Sequence, residues 1–435
     1  MPALRGILQD ALLEQGVRDL ILGNADACAT KIELLVADVG RERACAVLCL
    51  RLFYALSTGM PREAANIAYY VAGGFARADG LAALGDMLHR LADWRRLSDV
   101  LAAASLDGVS ADPAALLDRL AARAEPVEDP AWSAPQTTVA AGGPPPLVVI
   151  TLINGMGNQI FQYAAALRRA RQCGGVLKLD LSLFSSQSLD TRPFGLAPFT
   201  IDAPLADSAD LARVESRRVV EDIARFDPAF LSGDGDCGLL GCWGLPIYFR
   251  GVETELRDHL RFRDPAIGER AAASIERLRR REAPVVGLHV RRGDYLRPDY
   301  RNSYAPHPVA YYRAALQRFP SDSRVVVFSD MPEDREWCAR TFADLGARME
   351  VSRDRSDIED FALLAACDHQ IISTSSFGWW AAWLNRNPRK QIVAPHPGIG
   401  LGPRLAHIQL AGRLPAEWCV LCWDDIAQCA SAESA

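Results

Sequence analysis

Two rhythms of apolar and polar positions divide this chain. From Pro2 to Ala124 apolar residues recur at helical spacing, as in Leu48, Leu52 and Leu56 or Leu81, Leu84, Leu88 and Leu91, which predicts a run of short antiparallel helices. Breaks at Gly59-Met60-Pro61, Gly73-Gly74 and Ser110-Ala111-Asp112-Pro113 cut this region into hairpin-sized units with no fixed repeat length. Residues 125–146, with Pro126, Pro130, Pro135, an Ala-Ala-Gly-Gly run and Pro144-Pro145-Pro146, read as an extended linker. Beyond Leu147 short apolar runs alternate with helical stretches: Leu147 to Ile153, Val176 to Leu179, Val285 to Leu288, Val325 to Phe328, Gln370 to Ile372 and Gln391 to Val393. That alternation is the mark of βαβ units, so an α/β fold with a largely parallel sheet is expected. The connector Leu211 to Arg281 lacks strand rhythm, which places one lobe at 147–282, a second at 283–435, and a ligand cleft between them.

Composition narrows the picture. A chain of 435 residues has room for two or three domains, each with its own core. With 49% hydrophobic and 23% charged residues it has the make-up of a soluble globular protein, and a net charge of -6 excludes broad nucleic-acid binding by charge alone. No stretch approaches the roughly 18 unbroken apolar residues of a membrane span, and Met1 to Asp10 lacks the basic-then-apolar order of a secretory signal. A cytoplasmic location is therefore expected. The eleven cysteines, odd in number and scattered, predict reduced thiols. Cys419-Val420-Leu421-Cys422 has no second pair at zinc-site spacing, so it reads as buried thiols and no metal is assigned. The amino-terminal helical region fits a cap, a self-association domain or a module for a protein partner.

Three constellations carry chemistry. His289-Val290-Arg291-Arg292-Gly293-Asp294-Tyr295 follows an apolar strand and gathers an imidazole, two guanidiniums and a carboxylate around one glycine. At the carboxyl edge of a sheet such a turn is an anion-handling site, because an arginine there can fork onto phosphate oxygens; a solvated strand end is the plainer account. Asn154-Gly155-Met156-Gly157-Asn158-Gln159 joins a strand to a helix expected to begin near Ile160. Its glycines permit close backbone approach, and the helix amino terminus offers N–H groups to an anion. As a bare pattern it is equally a tight strand-to-helix turn, lacking the P-loop lysine and a third glycine. Ser373-Thr374-Ser375-Ser376, directly after the strand Gln370 to Ile372, supplies N-capping hydroxyls and a second phosphate cradle, while Trp379, Trp380 and Trp383 are expected to wedge the helix against its sheet.

Together these segments resemble the motif set of the family 11 glycosyltransferases, the α-1,2-fucosyltransferases. The motifs are His289 to Tyr295, Asn154 to Ala165, Phe328-Ser329-Asp330 with Trp337-Cys338, and Thr374 to Asn385. The resemblance spans about residues 147 to 400 and omits the helical region. It implies a two-lobed GT-B-type fold, GDP-fucose as donor, a galactose-terminated glycan as acceptor, inversion at the anomeric carbon and no metal or other cofactor. It places Arg291 on the β-phosphate, His289 near the guanine or ribose, Asp360 on the guanine edge, and Ser375, Ser376, Gly157 and Asn158 around the donor. Asn158 and Gln159 would reach fucose or acceptor hydroxyls across the cleft. Asp294 is the candidate base, with an alternative role as a turn residue that orients Arg291. Asp360 has a structural alternative too, as the cap of a helix Phe361 to Ala366.

Two departures stand out. The family commonly has a polar segment where this chain has Trp243-Gly244-Leu245-Pro246-Ile247-Tyr248-Phe249, and a serine where it has Gly378. No Asp-x-Asp pair follows a strand, Asp424-Asp425 lies outside the matched region, and Asp234-Gly235-Asp236 reads as an exposed turn. Rival readings are a transferase of the same architecture using another GDP-sugar and a helical scaffold with a non-catalytic nucleotide-binding half. A third is adhesion through Arg292-Gly293-Asp294, a tripeptide common by chance.

Overall fold

The computed structural model describes residues 2–37, 41–92, 97–103, 112–124, 144–185, 193–223, 235–279, 283–298 and 303–432, with residues 39, 106, 226, 230, 233 and 300. Among the described residues the elements of the amino-terminal region are all helices: α1 (Pro2–Leu22), α2 (Ala25–Val36), α3 (Arg41–Ser57), α4 (Pro61–Gly74), α5 (Arg77–Leu91), α6 (Leu97–Ala103) and α7 (Pro113–Ala122). Local chemistry sets the boundaries. Pro61 opens α4 at a position where its missing N–H costs nothing, and the Asp112 side chain caps α7 by accepting from the Ala114 N–H. Leu48, Leu52, Leu84, Leu88 and Leu91 face one shared apolar core. The expected linker lies at 125–143 outside the described residues, as do Ser110 and Ala111 of the expected break.

That core does not close on itself. Leu401, Ala406, Ile408 and Leu410, from the far end of the chain, complete it. Tyr70 donates to the Leu401 carbonyl at 2.6 Å and Asn66 to the His407 carbonyl at 3.0 Å. Gly73 and Gly74 do not interrupt α4, as their pairing in the sequence suggested, but form its last two residues. A side chain on Gly73 would stand 2.4 Å from His396, and one on Gly74 would stand 3.1 Å from the Gly398 backbone, so both are small to admit this segment. The helical region is thus docked on the α/β half.

The α/β half holds two parallel sheets. The first has the order β2-β1-β4-β3, from β1 (Leu147–Thr151), β2 (Val176–Asp180), β3 (Arg218–Val220) and β4 (Cys237–Leu240). Its first crossover is α8 (Met156–Cys173), which starts a turn earlier than Ile160, and α9 (Ser208–Val214) packs beside β1. The second sheet has the order β10-β9-β8-β5-β6-β7, from β5 (Val285–His289), β6 (Arg324–Phe328), β7 (Met349–Val351), β8 (His369–Ile371), β9 (Ile392–Pro395) and β10 (Cys419–Leu421). The connector Leu211 to Arg281, expected to lack strands, contains β3 and β4, and β4 lies directly against β1. The boundary at 282 falls among residues 280–282, outside the described residues.

The lobes meet through one continuous apolar core. Trp379 and Trp380 do not wedge their helix, Ser376–Leu384, against its own sheet alone. They pack across the seam on Phe161 of α8, at 4.8 and 4.7 Å between ring centroids, and Phe249 lies 5.3 Å from Trp380. Trp243, Leu245, Ile247, Tyr248 and Phe249 are buried in the same core, so the apolar replacement of the family's polar segment is a packing feature. Each of the eleven cysteines is free. Asp236, expected in an exposed turn, is half-buried: it accepts from the Leu147 N–H at 2.8 Å and pairs with Arg213 at 2.7 Å, anchoring the start of β1.

Candidate active site

In an open parallel sheet the strand order reverses at a switch point, and loops leaving the carboxyl ends there diverge to leave a crevice. The second sheet reverses between β5 and β8. Both cationic and hydroxyl constellations leave from those two strands: His289 ends β5 with Arg291 just beyond it, and Ser373 to Ser376 follow β8. The buried Ser373 hydroxyl joins the strand ends, donating to the His289 carbonyl at 2.7 Å and accepting from the Arg291 N–H at 3.0 Å. Tyr295 adds a second tie, its hydroxyl donating to the Thr374 carbonyl at 2.8 Å.

Arg291 is the fixed cation of the crevice. One guanidinium nitrogen donates to Asp330 Oδ2 at 2.5 Å, another to Asp294 Oδ2 at 2.7 Å, and the group lies 5.5 Å above the Tyr295 ring. Burial works against its charge, but Asp330 and Asp294 outweigh burial and hold its pKa above the ordinary value. Asp294 therefore stands in contact with Arg291, the geometry of the orienting alternative. Asp330 was not singled out beforehand, although Phe328-Ser329-Asp330 at the end of β6 was the signal that could have found it. Arg292 faces elsewhere: it donates to Asp334 at 3.1 Å and lies 3.8 Å over the Trp337 ring.

His289 is buried, and burial pushes its pKa down to about 4, so it is neutral at pH 7. Its ring stacks on Phe377 at 5.6 Å, and a side chain on Gly378 would come within 2.7 Å of its Nδ1. The glycine in place of the family's serine is what makes room for this imidazole. Phe377 also meets Phe361 edge-on at 5.3 Å, which ties His289 to the helix Asp357–Ala366. Asp360 sits in the first turn of that helix and does not cap it; Ser356 does, in a reciprocal bond with Glu359. Asp360 accepts from Ser352 at 2.5 Å and lies 3.8 Å from Arg335, and burial raises its pKa.

The glycine loop arrives from the first lobe. Gly157 lies in the first turn of α8, and a Cβ on it would stand 2.5 Å from the Ser376 carbonyl carbon. The close approach it permits is therefore to the opposing helix, correcting the expectation that this glycine clears space for the donor itself. Two helix amino termini consequently abut, one of them just past Ser373, whose hydroxyl holds the Arg291 N–H. Each carries partial positive charge, so their meeting concentrates positive potential on one side of the crevice. Ser375 occupies the N-cap position of the helix Ser376–Leu384 without making a side-chain capping bond. Asn158 is half-buried in the first turn of α8. Gln159 is a correction: it is fully buried, donating to the Asn154 and Pro193 carbonyls at 2.8 and 3.2 Å and accepting from the Gly195 N–H at 2.8 Å. Its amide shapes the Asn154 turn and does not reach into a cleft.

Comparison with known proteins identifies a family for the α/β half. Residues 144–396 match the family model described as Glycosyl transferase family 11, which leaves the helical region outside the match. An alpha-1,2-colitosyltransferase of Escherichia coli is 24% identical over 272 residues, 58% of this chain and 92% of the relative. Galactoside alpha-(1,2)-fucosyltransferase 1 of Saimiri sciureus is 37% identical over 142 residues, 30% of this chain and 37% of the relative. The match to that relative thus spans well under half its length. Among solved structures, fucosyltransferase NodZ from Bradyrhizobium has 16% identity and a TM-score of 0.37, with 56% of this chain and 94% of that chain covered. Among the described residues no helix is long and apolar enough to cross a membrane.

Proposed function

The chain belongs to glycosyl transferase family 11, and on that premise we propose that it moves fucose from GDP-fucose, with inversion, to the 2-hydroxyl of a terminal galactoside. The observation that carries this reading is the convergence of Arg291 and two helix amino termini on one switch point. As the anomeric carbon–oxygen bond breaks, negative charge grows on the departing diphosphate. Donors already fixed in place stabilise that charge more in the transition state than before it, which is the property that accelerates a reaction. In this reading Arg291 and the Ser375-Ser376 helix start take up the β-phosphate charge, and no metal or other cofactor is required. His289, held neutral, and Asp360, held by Ser352, face the nucleoside.

Two carboxylates share one guanidinium, more than its orientation requires. Asp294 lies on the same turn as Arg291 and orients it, which leaves Asp330, from the neighbouring strand end, as the carboxylate assigned here to accept the acceptor proton. A cytoplasmic setting belongs to the same proposal, in keeping with eleven free thiols. The E. coli relative covered over 92% of its length is named for colitose, which gives a second donor to weigh.

Incubation with GDP-fucose, GDP-colitose and GDP-mannose and a set of galactosides, with product linkage read by NMR, tests the proposal. An α-1,2-linked fucosyl galactoside as the main product is expected. Dominant turnover of GDP-mannose overturns it, dominant turnover of GDP-colitose moves the donor, and GDP binding without any transfer supports a non-catalytic nucleotide binder.

A further inference from the structure

A cavity of about 710 Å³ lies on the seam between the lobes, away from Arg291. The helix Ser376–Leu384 separates the two places: its amino terminus borders the crevice, while the residues just past its carboxyl end line the cavity. Nine residues of helix put about 13 Å between them. We propose that this cavity is a second anion site, built for the phosphoryl group of a ligand other than the sugar donor.

The lining carries the argument. Arg257 enters from the first lobe and Arg386 and Lys390 from the second, with Arg261 beside them. Two carboxylates face the same space. Asp258 is committed to Arg261 at 2.5 Å, which leaves Glu417 as the acid opposite Arg257, Arg386 and Lys390. Neither Arg257 nor Arg386 makes an ion pair among the described residues. Arg257 is half-buried and lies 3.8 Å over the face of Trp383, which holds the guanidinium in place. Lys390 donates to the carbonyls of Ala382, Trp383 and Asn385 at the end of the helix, so its ammonium is fixed there and lends the cavity charge, while the guanidiniums supply the N–H groups.

Cations held side by side repel, and the effect registers on each. Burial first and the Arg386 charge second lower the Arg257 pKa, and burial with the Arg257 charge brings Lys390 down to about 8. Such a cluster gives the cavity a positive potential that favours an anion. A phosphoryl group matches it, since guanidiniums bind phosphate oxygens in pairs and a doubly charged group answers several cations at once. The cavity volume falls in the range of small-ligand sites. Because its walls come from both lobes, a bound anion would fasten them together. A lipid phosphate headgroup and a free phosphorylated solute share this chemistry.

The test is calorimetric titration of the full chain carrying Arg291→Ala with inorganic pyrophosphate, so that the donor crevice lacks its cation. Binding is expected to persist, and to weaken about tenfold on adding Arg386→Gln, the loss typical of one charge-assisted contact. Adding Arg257→Gln should weaken it further. Should that change unfold the chain by uncovering Trp383, the exposed Arg386 decides alone. No binding to the Arg291→Ala protein, or binding indifferent to Arg386→Gln, overturns the proposal. Cosedimentation with phosphatidylcholine vesicles containing phosphatidic acid, lost on Arg386→Gln, identifies a lipid headgroup; pyrophosphate binding without vesicle association identifies a soluble phosphate.

Discussion

At the switch point of the first sheet, between β1 and β4, polar side chains are turned inward. Gln159 and Gln162 bond the backbone of the Asn154 turn, and Glu221 accepts from the N–H groups of Cys242 and Trp243. At the switch point of the second sheet, between β5 and β8, the backbone is tied by Ser373, and the charged groups Arg291, Asp294 and Asp330 are gathered on one another. The two places share strand, turn and helix amino terminus. They differ in whether a fixed cation has been added to that frame. The frame alone offers an anion partial charges; a fixed guanidinium converts it into a site that can stabilise a leaving group. One lobe supplies shape and the other supplies charge, and Gly157 against Ser376 joins them.

The most direct way to break this comparison is to remove the charge. Arg291→Ala should lower kcat by about 10² to 10³ while the fold is retained, the usual cost of losing one fixed transition-state donor. Circular dichroism and initial rates with GDP-fucose check it, and near-wild-type turnover would refute the role. Arg291→Lys should recover little, because an ammonium cannot span Asp294 and Asp330 as a planar fork does.

Acid should separate the lobes next. Burial lowers the pKa values of His289, His307 and His396 to about 4, 3 and 4, and all three belong to the second lobe. Each is neutral when folded and binds a proton when unfolded below about pH 6.5. The unfolded state therefore takes up more protons, and stability falls as pH drops from 6.5 to about 4, by about 1.4 kcal/mol per pH unit for each imidazole. Denaturant unfolding at pH 7 and pH 5 should show it. Hydrogen exchange should show protection lost in β5 and β8 before β1; the reverse order would contradict the assignment.

Much of this was legible in the sequence, and the missing parts have physical reasons. The motifs at 289–295 and 374–385 are contiguous in the chain, so their chemistry could be read directly. Asp330 meets Arg291 only because β6 lies beside β5, a neighbour relation that no local spacing encodes. β4 escaped notice because Cys237 to Leu240 is four residues long and includes Gly238, at which a side chain would press on Val214 at 3.1 Å. Gln159 misled because an amide beside a glycine loop suggests a ligand contact, whereas the tight turn needs that amide for its own carbonyls. The helices of the amino-terminal region were evident from periodicity. Their docking was not, since Asn66, Tyr70 and Gly73 of α4 find partners at the opposite end of the chain.

The joint between the lobes is open to a smaller and more local break. Gly157→Ala places a methyl group against backbone that has no rotamer to yield. The two helix ends must then separate, at about 1–3 kcal/mol, the range for overpacking a tight contact. Thermal unfolding measures that cost, and kcat should fall along with stability if the meeting of the two amino termini matters to the chemistry. Full activity in a destabilised Gly157→Ala protein would mean that the first lobe contributes packing only.

The smallest effect expected is also the one that separates the two carboxylates. If Asp294 orients Arg291, then Asp294→Asn keeps a hydrogen-bond acceptor of the same shape and removes only the charge. The loss in kcat should be about tenfold, near 1.4 kcal/mol, with the acidic limb of the pH–rate profile unmoved. If Asp294 were instead the base, the loss should reach the 10² to 10⁴ that general-base catalysis provides, and that limb should disappear. Asp330→Asn is the paired measurement. The assignment made above requires the larger loss and the altered limb at Asp330, and finding them at Asp294 would exchange the two roles while leaving Arg291 where it is.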